Sequence, residues 1–346
     1  MVAMSGGVDS SVAAAIMKEQ GYYVCGGTLR LYEKDGKMSE EVLKAKSVCD
    51  KLGLEHSIYD MREEFKGKVI EYFSQEYEMG LTPNPCVECN KHIKFGSFLE
   101  KAVNENCDYI ASGHYAQVGF DKSSGRYVLY RSDDSRKDQT YVLWQLSQNQ
   151  LSHILMPLGN ITKDEVRKIA QSYGFVSESY KESQDICFVP DGNYAQFLEN
   201  FRGSPFANGN YIDIGGNVLG QHKGHQNYTV GQRKGLGIAL GKPQFVISKN
   251  PSTNEVVLGD EEHIYKKRVF IKDVNMIGIP FPKSSVSCTA KLRYSSRDEK
   301  CILHPTGNNQ AVLEFEKAQR GPTAGQSAVF YSGDLLLGGG KIIGGE

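Results

Sequence analysis

The tightest constraint on this chain lies in its first eleven residues. A short apolar run, Val2-Ala3-Met4, leads straight into Ser5-Gly6-Gly7-Val8-Asp9-Ser10-Ser11. A helical pattern follows over Ser10–Gln20, with Ser at the cap and Val12, Ala13, Ile16 and Met17 on one face. A glycine turn between strand and helix aims backbone N–H groups and a helix N-terminus at one point, which makes an anion site. Two glycines let the backbone approach an oxyanion, the serines add hydroxyl donors, and Asp9 adds a carboxylate able to hold hydrated Mg²⁺. Such a turn works at the end of a parallel sheet.

The first half of the chain predicts that sheet. Strand-like runs at Tyr22–Thr28, Glu55–Tyr59 and Tyr109–Ser112 alternate with helical stretches at Ser39–Leu52 and Glu63–Met79, and Gly53 and Gly80 serve as stops. The expectation is an α/β fold: a Rossmann-like parallel-sheet domain over residues 1–200. Glycines then cluster between Gly203 and Gly241, marking a small basic central domain over 201–266. Short alternating strands at Val286–Leu292, Cys301–Leu303, Ala311–Phe315, Ser327–Tyr331 and Leu335–Leu337 predict a β-barrel or sandwich over 267–346. Only four residues precede the glycine turn, a lead-in expected of a truncated N-terminus and of a shortened sheet edge beside the anion site.

Composition removes other classes. Hydrophobic residues at 40% and charged residues at 23% fit a folded globular chain. No apolar run approaches the roughly 18 residues of a membrane span, and Met1–Met4 lacks a charged-then-apolar leader, so a reducing cytoplasm and no membrane partner are expected. The net charge of −1 divides unevenly: residues 1–200 carry 22 Lys+Arg against 29 Asp+Glu, and residues 201–346 carry 18 against 12. The second half therefore suits a polyanion. Eight cysteines are too few for a disulfide scaffold, and five of them read as small buried hydrophobes.

The other three carry more chemistry. Cys86 and Cys89 lie in Thr82-Pro83-Asn84-Pro85-Cys86-Val87-Glu88-Cys89-Asn90-Lys91-His92-Ile93-Lys94-Phe95. The two prolines delay a helix until after the cysteines, and a helix N-terminus with Lys91 and Lys94 favours thiolate. Half a zinc site is the alternative, but a second C-x-x-C is missing. Cys187, in Ser183-Gln184-Asp185-Ile186-Cys187-Phe188-Val189, is 98 residues from Cys89, so spacing alone cannot bring them together.

Neither G-x-x-x-x-G-K-[ST] nor G-x-G-x-x-G occurs; Gly235-Leu236-Gly237-Ile238-Ala239-Leu240 fails at its last position. S-G-G-x-D-S after a first strand instead resembles the pyrophosphate loop (PP-loop) of the N-type ATP pyrophosphatases, which adenylate a substrate. The wider pattern resembles the tRNA-specific 2-thiouridylase family from end to end. The matching blocks are the S-G-G-V-D-S-S loop, T-P-N-P-x-x-x-C-N-x-x-I-K-F, Ser112-Gly113-His114-Tyr115, Lys137-Asp138-Gln139 and the I-C-F around Cys187. Gly231–Gly237, Arg293-Tyr294 and Gly325–Tyr331 complete them.

The resemblance implies an ATP site at Ala3, Met4, Ser5, Gly6, Gly7, Val8, Asp9 and Ser10, with Leu29 against adenine and Gly113 nearby. It implies that Asn84, Pro85 and Cys86 face a flipped uracil, with Cys89 and Cys187 as working thiols. His114, Lys137, Asp138, Gln139, Arg293, Tyr294 and Gln326 would touch the anticodon arm of tRNA. ATP and Mg²⁺ would adenylate O2 of the wobble uracil, and sulfur would then replace it at C2, supplied by a donor or relay protein. Two departures stand out: Leu29 replaces a common methionine, and Cys86 replaces the aspartate of many members. That second change opens two sulfur routes, a Cys187 persulfide resolved by Cys89, or a [4Fe–4S] cluster on Cys86, Cys89 and Cys187 carrying hydrosulfide. Two other functions compete: an adenylating enzyme with a small-molecule acceptor, and a non-catalytic RNA-binding protein. The 146-residue basic tail is more than a small substrate needs, and intact Asp9, Ser10 and three thiols oppose a vestigial site.

Overall fold

The computed structural model describes residues 1–32, 40–175, 186–189 and 191–346; Ser39 and the 183–185 part of the Cys187 motif lie outside them. Five strands form the first sheet: β1 (Val2–Ala3), β2 (Gly26–Arg30), β3 (His56–Asp60), β4 (Ile110–Ala111) and, after the hairpin β5 (Ala116–Asp121) and β6 (Arg126–Arg131), β7 (Ile154–Leu155). Their order is β3-β2-β1-β4-β7, all parallel. The order runs from β1 towards β3 and then restarts at β4 on the other side. The loops after β1 and β4 therefore part at a crevice beyond the strands' carboxyl ends, the usual ligand position in such sheets. β1 is thus the central strand, not an edge, and its shortness does not open the sheet beside the turn.

The first helix, α1 (Val8–Glu19), begins two residues earlier than its apolar pattern suggests. Its N-cap is Gly7 rather than a serine. Ser10 and Ser11 instead donate their hydroxyls back to the Gly7 carbonyl, at 3.0 and 2.8 Å. Val12, Ala13 and Ala14 are fully buried, so the helix packs on several sides. Gly53 and Gly80 are left-handed, as stops should be.

The central unit is a four-stranded sheet of β8 (Gly209–Ile212), β9 (Val218–His222), β10 (Phe245–Asn250) and β11 (Glu255–Gly259), ordered β10-β11-β8-β9. It closes on a small core of Tyr211, Tyr228, Leu236, Val246, Val256 and Leu258. The last six strands are β12 (Tyr265–Met276), β13 (Val286–Lys291), β14 (Glu299–Gly307), β15 (Gln310–Arg320), β16 (Ser327–Ser332) and β17 (Leu335–Gly345). They pair in the order β12-β15-β14-β13-β16-β17, and β17 returns to β12, so this is a closed antiparallel barrel.

The barrel is not a separate bead. β6 pairs with β17 through Leu335↔Tyr130 and Leu336↔Leu129, adding the first domain's hairpin to the barrel sheet. Trp144 is fully buried at this junction, and its Nε1 donates to Ser327 Oγ at 2.9 Å. Gly339 faces it so closely that a Cβ there would lie 2.6 Å from the indole. One apolar core runs from Phe98 and Leu129 through Trp144 to Val329, Tyr331 and Leu336.

Candidate active site

A cavity of about 260 Å³ opens at the β1/β4 crevice, lined by Ala3, Met4, Ser5, Asp9, Ser10 and Leu29 on one side. Lys94, Phe95, Gly113, His114 and Gln139 line the other. The two loops touch: a Cβ on Gly113 would sit 2.8 Å from the Asp9 carbonyl carbon, so only glycine fits. Asp9 is held from behind. Its Oδ1 accepts from the Lys163 ammonium at 2.6 Å and from the Tyr115 hydroxyl at 2.7 Å. Lys163 is 3% exposed at its side chain, so this charge pair is fixed rather than solvated. His114 is buried and shares its Nδ1 with Ser112 Oγ at 2.9 Å. Burial, together with the Lys94 charge, holds its imidazole well below the usual pKa and keeps it neutral.

The thiols lie within electrostatic reach of the cavity's Lys94. Asn84 caps the next helix by accepting from the Cys86 N–H at 3.1 Å, and Pro85 occupies the first helical position. The prolines thus start a helix before the cysteines rather than delaying it beyond them. A short α-turn, Pro85–Glu88, continues as π-helix over Cys89–Ser97. Cys89 is buried in an apolar cluster with Phe65, Phe73, Phe188 and Val189. Phe188 packs edge-on against Phe65 and Phe73, and this anchor carries the neighbouring Cys187 to the Cys89 wall. The three thiols are near enough to feel one another's charge.

The expected thiolates are not favoured. Cys86 and Cys187 show surface to solvent, yet the concave walls around them strip away water. Desolvation raises all three thiols, pushing Cys89 up to about 12, and the opposing pull of Lys94 is smaller. The five remaining cysteines are not all solitary either. Cys25 and Cys107 stand 3.9 Å apart, and Cys288 and Cys301 stand 3.6 Å apart on facing barrel strands.

Three family models cover the chain in sequence order. They are described as a tRNA methyl transferase HUP domain over residues 1–191, a tRNA methyl transferase PRC-barrel domain over 195–260, and an aminomethyltransferase beta-barrel domain over 266–342. The curated relatives include tRNA-specific 2-thiouridylase MnmA 1 of Clostridium tetani, 48% identical over 99% of this chain and 96% of its own length. The Clostridioides difficile tRNA-specific 2-thiouridylase MnmA is 47% identical over 99% and 97%, and that of Carboxydothermus hydrogenoformans 45% over 99% and 96%. The chain belongs to the tRNA-specific 2-thiouridylase family.

As a member of the 2-thiouridylase family it shows an uneven set of tRNA candidates. Tyr294 is half exposed, lies in the electrostatic field of Cys86, and sets its ring 5.9 Å from Tyr141. Gln139 lines the cavity while its Oε1 accepts from the Tyr115 N–H. Asp138 is buried, accepting from Thr140 Oγ1 at 2.8 Å, and Lys137 beside it is half-buried. Arg293 is a strut: one of its guanidinium nitrogens donates to Val230 O, Gly321 O and Thr323 Oγ1, joining the central unit to the barrel. Gln326 donates to Thr82 O at 2.7 Å, so the barrel pins the loop that leads to Asn84, Pro85 and Cys86. Sequence reasoning missed Lys163. The available signal was the Thr162-Lys163-Asp164-Glu165 capping box, which starts a helix at the crevice end of the sheet.

Proposed function

We propose that this chain is an ATP-dependent tRNA-uridine 2-sulfurtransferase acting on the wobble uracil. One observation supports the reading: Lys94 lines the crevice beside the phosphate turn and lies within electrostatic reach of all three thiols. ATP lies across the crevice, its adenine against Leu29 and its phosphates on the Ser5–Ser10 turn. Lys163 and Tyr115 hold Asp9 through one carboxylate oxygen, and Asp9 lines the cavity, which fits a hydrated Mg²⁺; bound there, the ion would neutralise phosphate charge. Uracil O2 attacks the α-phosphorus, the bond to the β-phosphate breaks, and pyrophosphate leaves. The terminal sulfur of a Cys187 persulfide, loaded by a donor protein, then attacks C2, and AMP departs with O2. Cys89, passing its proton to the departing 2-thiouracil, attacks the Cys187 sulfur and breaks the S–S bond, and an external dithiol reduces the resulting disulfide. Raised thiol pKa values keep unloaded cysteines protonated and inert between turnovers. Asn84, Pro85 and Cys86, with Tyr294 within electrostatic reach of Cys86, would receive the flipped base, and the positive second half would hold the anticodon arm through its phosphates.

A second sulfur route is favoured by the C-x-x-C itself. Cys86, Cys89 and Cys187 would hold a [4Fe–4S] cluster, but the donors do not fit it as placed: among the described residues, no three His, Cys, Asp or Glu side chains gather at ligating distance. The test combines nucleoside mass spectrometry with iron analysis of anaerobically purified protein. Cys187→Ser is expected to abolish 2-thiouridine while changing tRNA affinity little. Retained thiolation would sink the site assignment, and about four irons per chain would move the sulfur route to the cluster.

A further inference from the structure

The nucleotide crevice and the thiol wall meet at one cation. Lys94 lines the cavity with Asp9, Ser10 and His114, and its charge reaches Cys86, Cys89 and Cys187. The backbone puts it there. Cys89–Ser97 is π-helical, and i→i+5 bonding widens the turn, so Lys94 falls nearer the face of Cys89 than the tighter α-turn would bring it. Gln150 holds the wide turn open, its Nε2 donating to Lys91 O at 2.9 Å and to Phe95 O at 2.7 Å. Lys163, the other crevice lysine, is committed to Asp9. Lys94 has no hydrogen bond or ion pair among the described residues, so its charge is available to whatever enters.

Resting on the two-step reading above, we propose that Lys94 is a catalytic residue of the sulfur-transfer step, its ammonium standing between the phosphate of the adenylated base and the incoming sulfur. Both reactants are anionic. The adenylate phosphate carries one negative charge, the sulfur nucleophile carries another, and they must converge on one carbon. A fixed ammonium in a partly dry crevice offsets that repulsion and meets the charge that grows as the C2–O2 bond breaks. The S–C2 bond forms, the C2–O2 electron pair leaves on AMP, and Lys94 keeps its proton throughout. Adenylation involves the same phosphate, but there the phosphate turn shares the charge, so the sulfur-transfer step depends on Lys94 more heavily.

Single-turnover reactions on full-length protein loaded with sodium polysulfide, with unmodified tRNA and ATP, separate the steps. Lys94→Gln is expected to form 2-thiouridine about 100-fold more slowly and to release pyrophosphate about tenfold more slowly at most, so the two rates separate. Lys94→Arg, which keeps the charge, should recover the rate to within about tenfold. Thiolation by Lys94→Gln within about threefold of the unaltered protein overturns the assignment. Pyrophosphate release falling in step with thiolation overturns it too, as does loss of tRNA affinity. If the unaltered protein itself forms no 2-thiouridine, the reaction assigned above fails instead, and the two failures are told apart.

Discussion

Glu88, between the two cysteines of the C-x-x-C, shows how much one side chain holds in place. Its carboxylate is 6% exposed and meets Lys341 of the barrel at 3.0 Å, His92 at 3.4 Å and the Gln145 amide at 3.3 Å. Burial works against the charge, but hydrogen bonds from His92 and Lys341 win and hold the group at about 2. A carboxylate whose pKa is lowered by folding stabilises above its unfolded value, near 4.3, and loses that contribution as pH falls through the folded one. Glu88→Gln is therefore expected to cost about 1–3 kcal/mol at pH 7, with the gap to the unaltered protein closing between about pH 4.5 and about 2. Urea melts across that range check it, and a gap independent of pH would count against the ion pair. The thiols were half legible by the same physics. Their motif named them, but a helix N-terminus and nearby lysines pointed to thiolates, and only the packed walls reveal that desolvation dominates. Likewise Lys163 reads as an ordinary helix-start lysine until the fold sets it against Asp9.

Among the elements, the π-segment Cys89–Ser97 was the least legible, because its sequence has no pattern distinguishing it from an α-turn. The parallel strands and their glycine stops were readable, since alternation and φ > 0 positions are local properties. Gly96 is the pinch that ends the wide turn: a Cβ there would come within 2.9 Å of the Lys91 carbonyl oxygen. That carbonyl also accepts from Gln150, so it cannot yield without releasing the amide. Gly96→Ala should cost about 1–3 kcal/mol by overpacking. It should slow thiolation more than pyrophosphate release, because it moves Lys94 rather than the phosphate turn. Equal effects on both steps, measured beside a denaturant melt, would show that the segment supports the fold alone.

For the whole molecule, the change of style near residue 200 was visible in the sequence, whereas the junction between the outer domains was not. Nothing local in Arg126–Arg131 says that it will pair with a strand two hundred residues later. The first and last domains share a core, so they are expected to unfold together. Trp144→Ala, which empties that core, should cost about 3–5 kcal/mol.

Trp144 is also the chain's single tryptophan. The intrinsic fluorescence of the whole protein is therefore a one-residue optical gauge of the place where the barrel meets the catalytic sheet. Its emission should stay blue until the junction opens, and in a urea titration its red shift should coincide with loss of the far-ultraviolet dichroism. An earlier red shift would mean that the barrel lifts off a still-folded nucleotide domain. Added tRNA could then be watched, without any attached dye, for whether it tightens or loosens that joint.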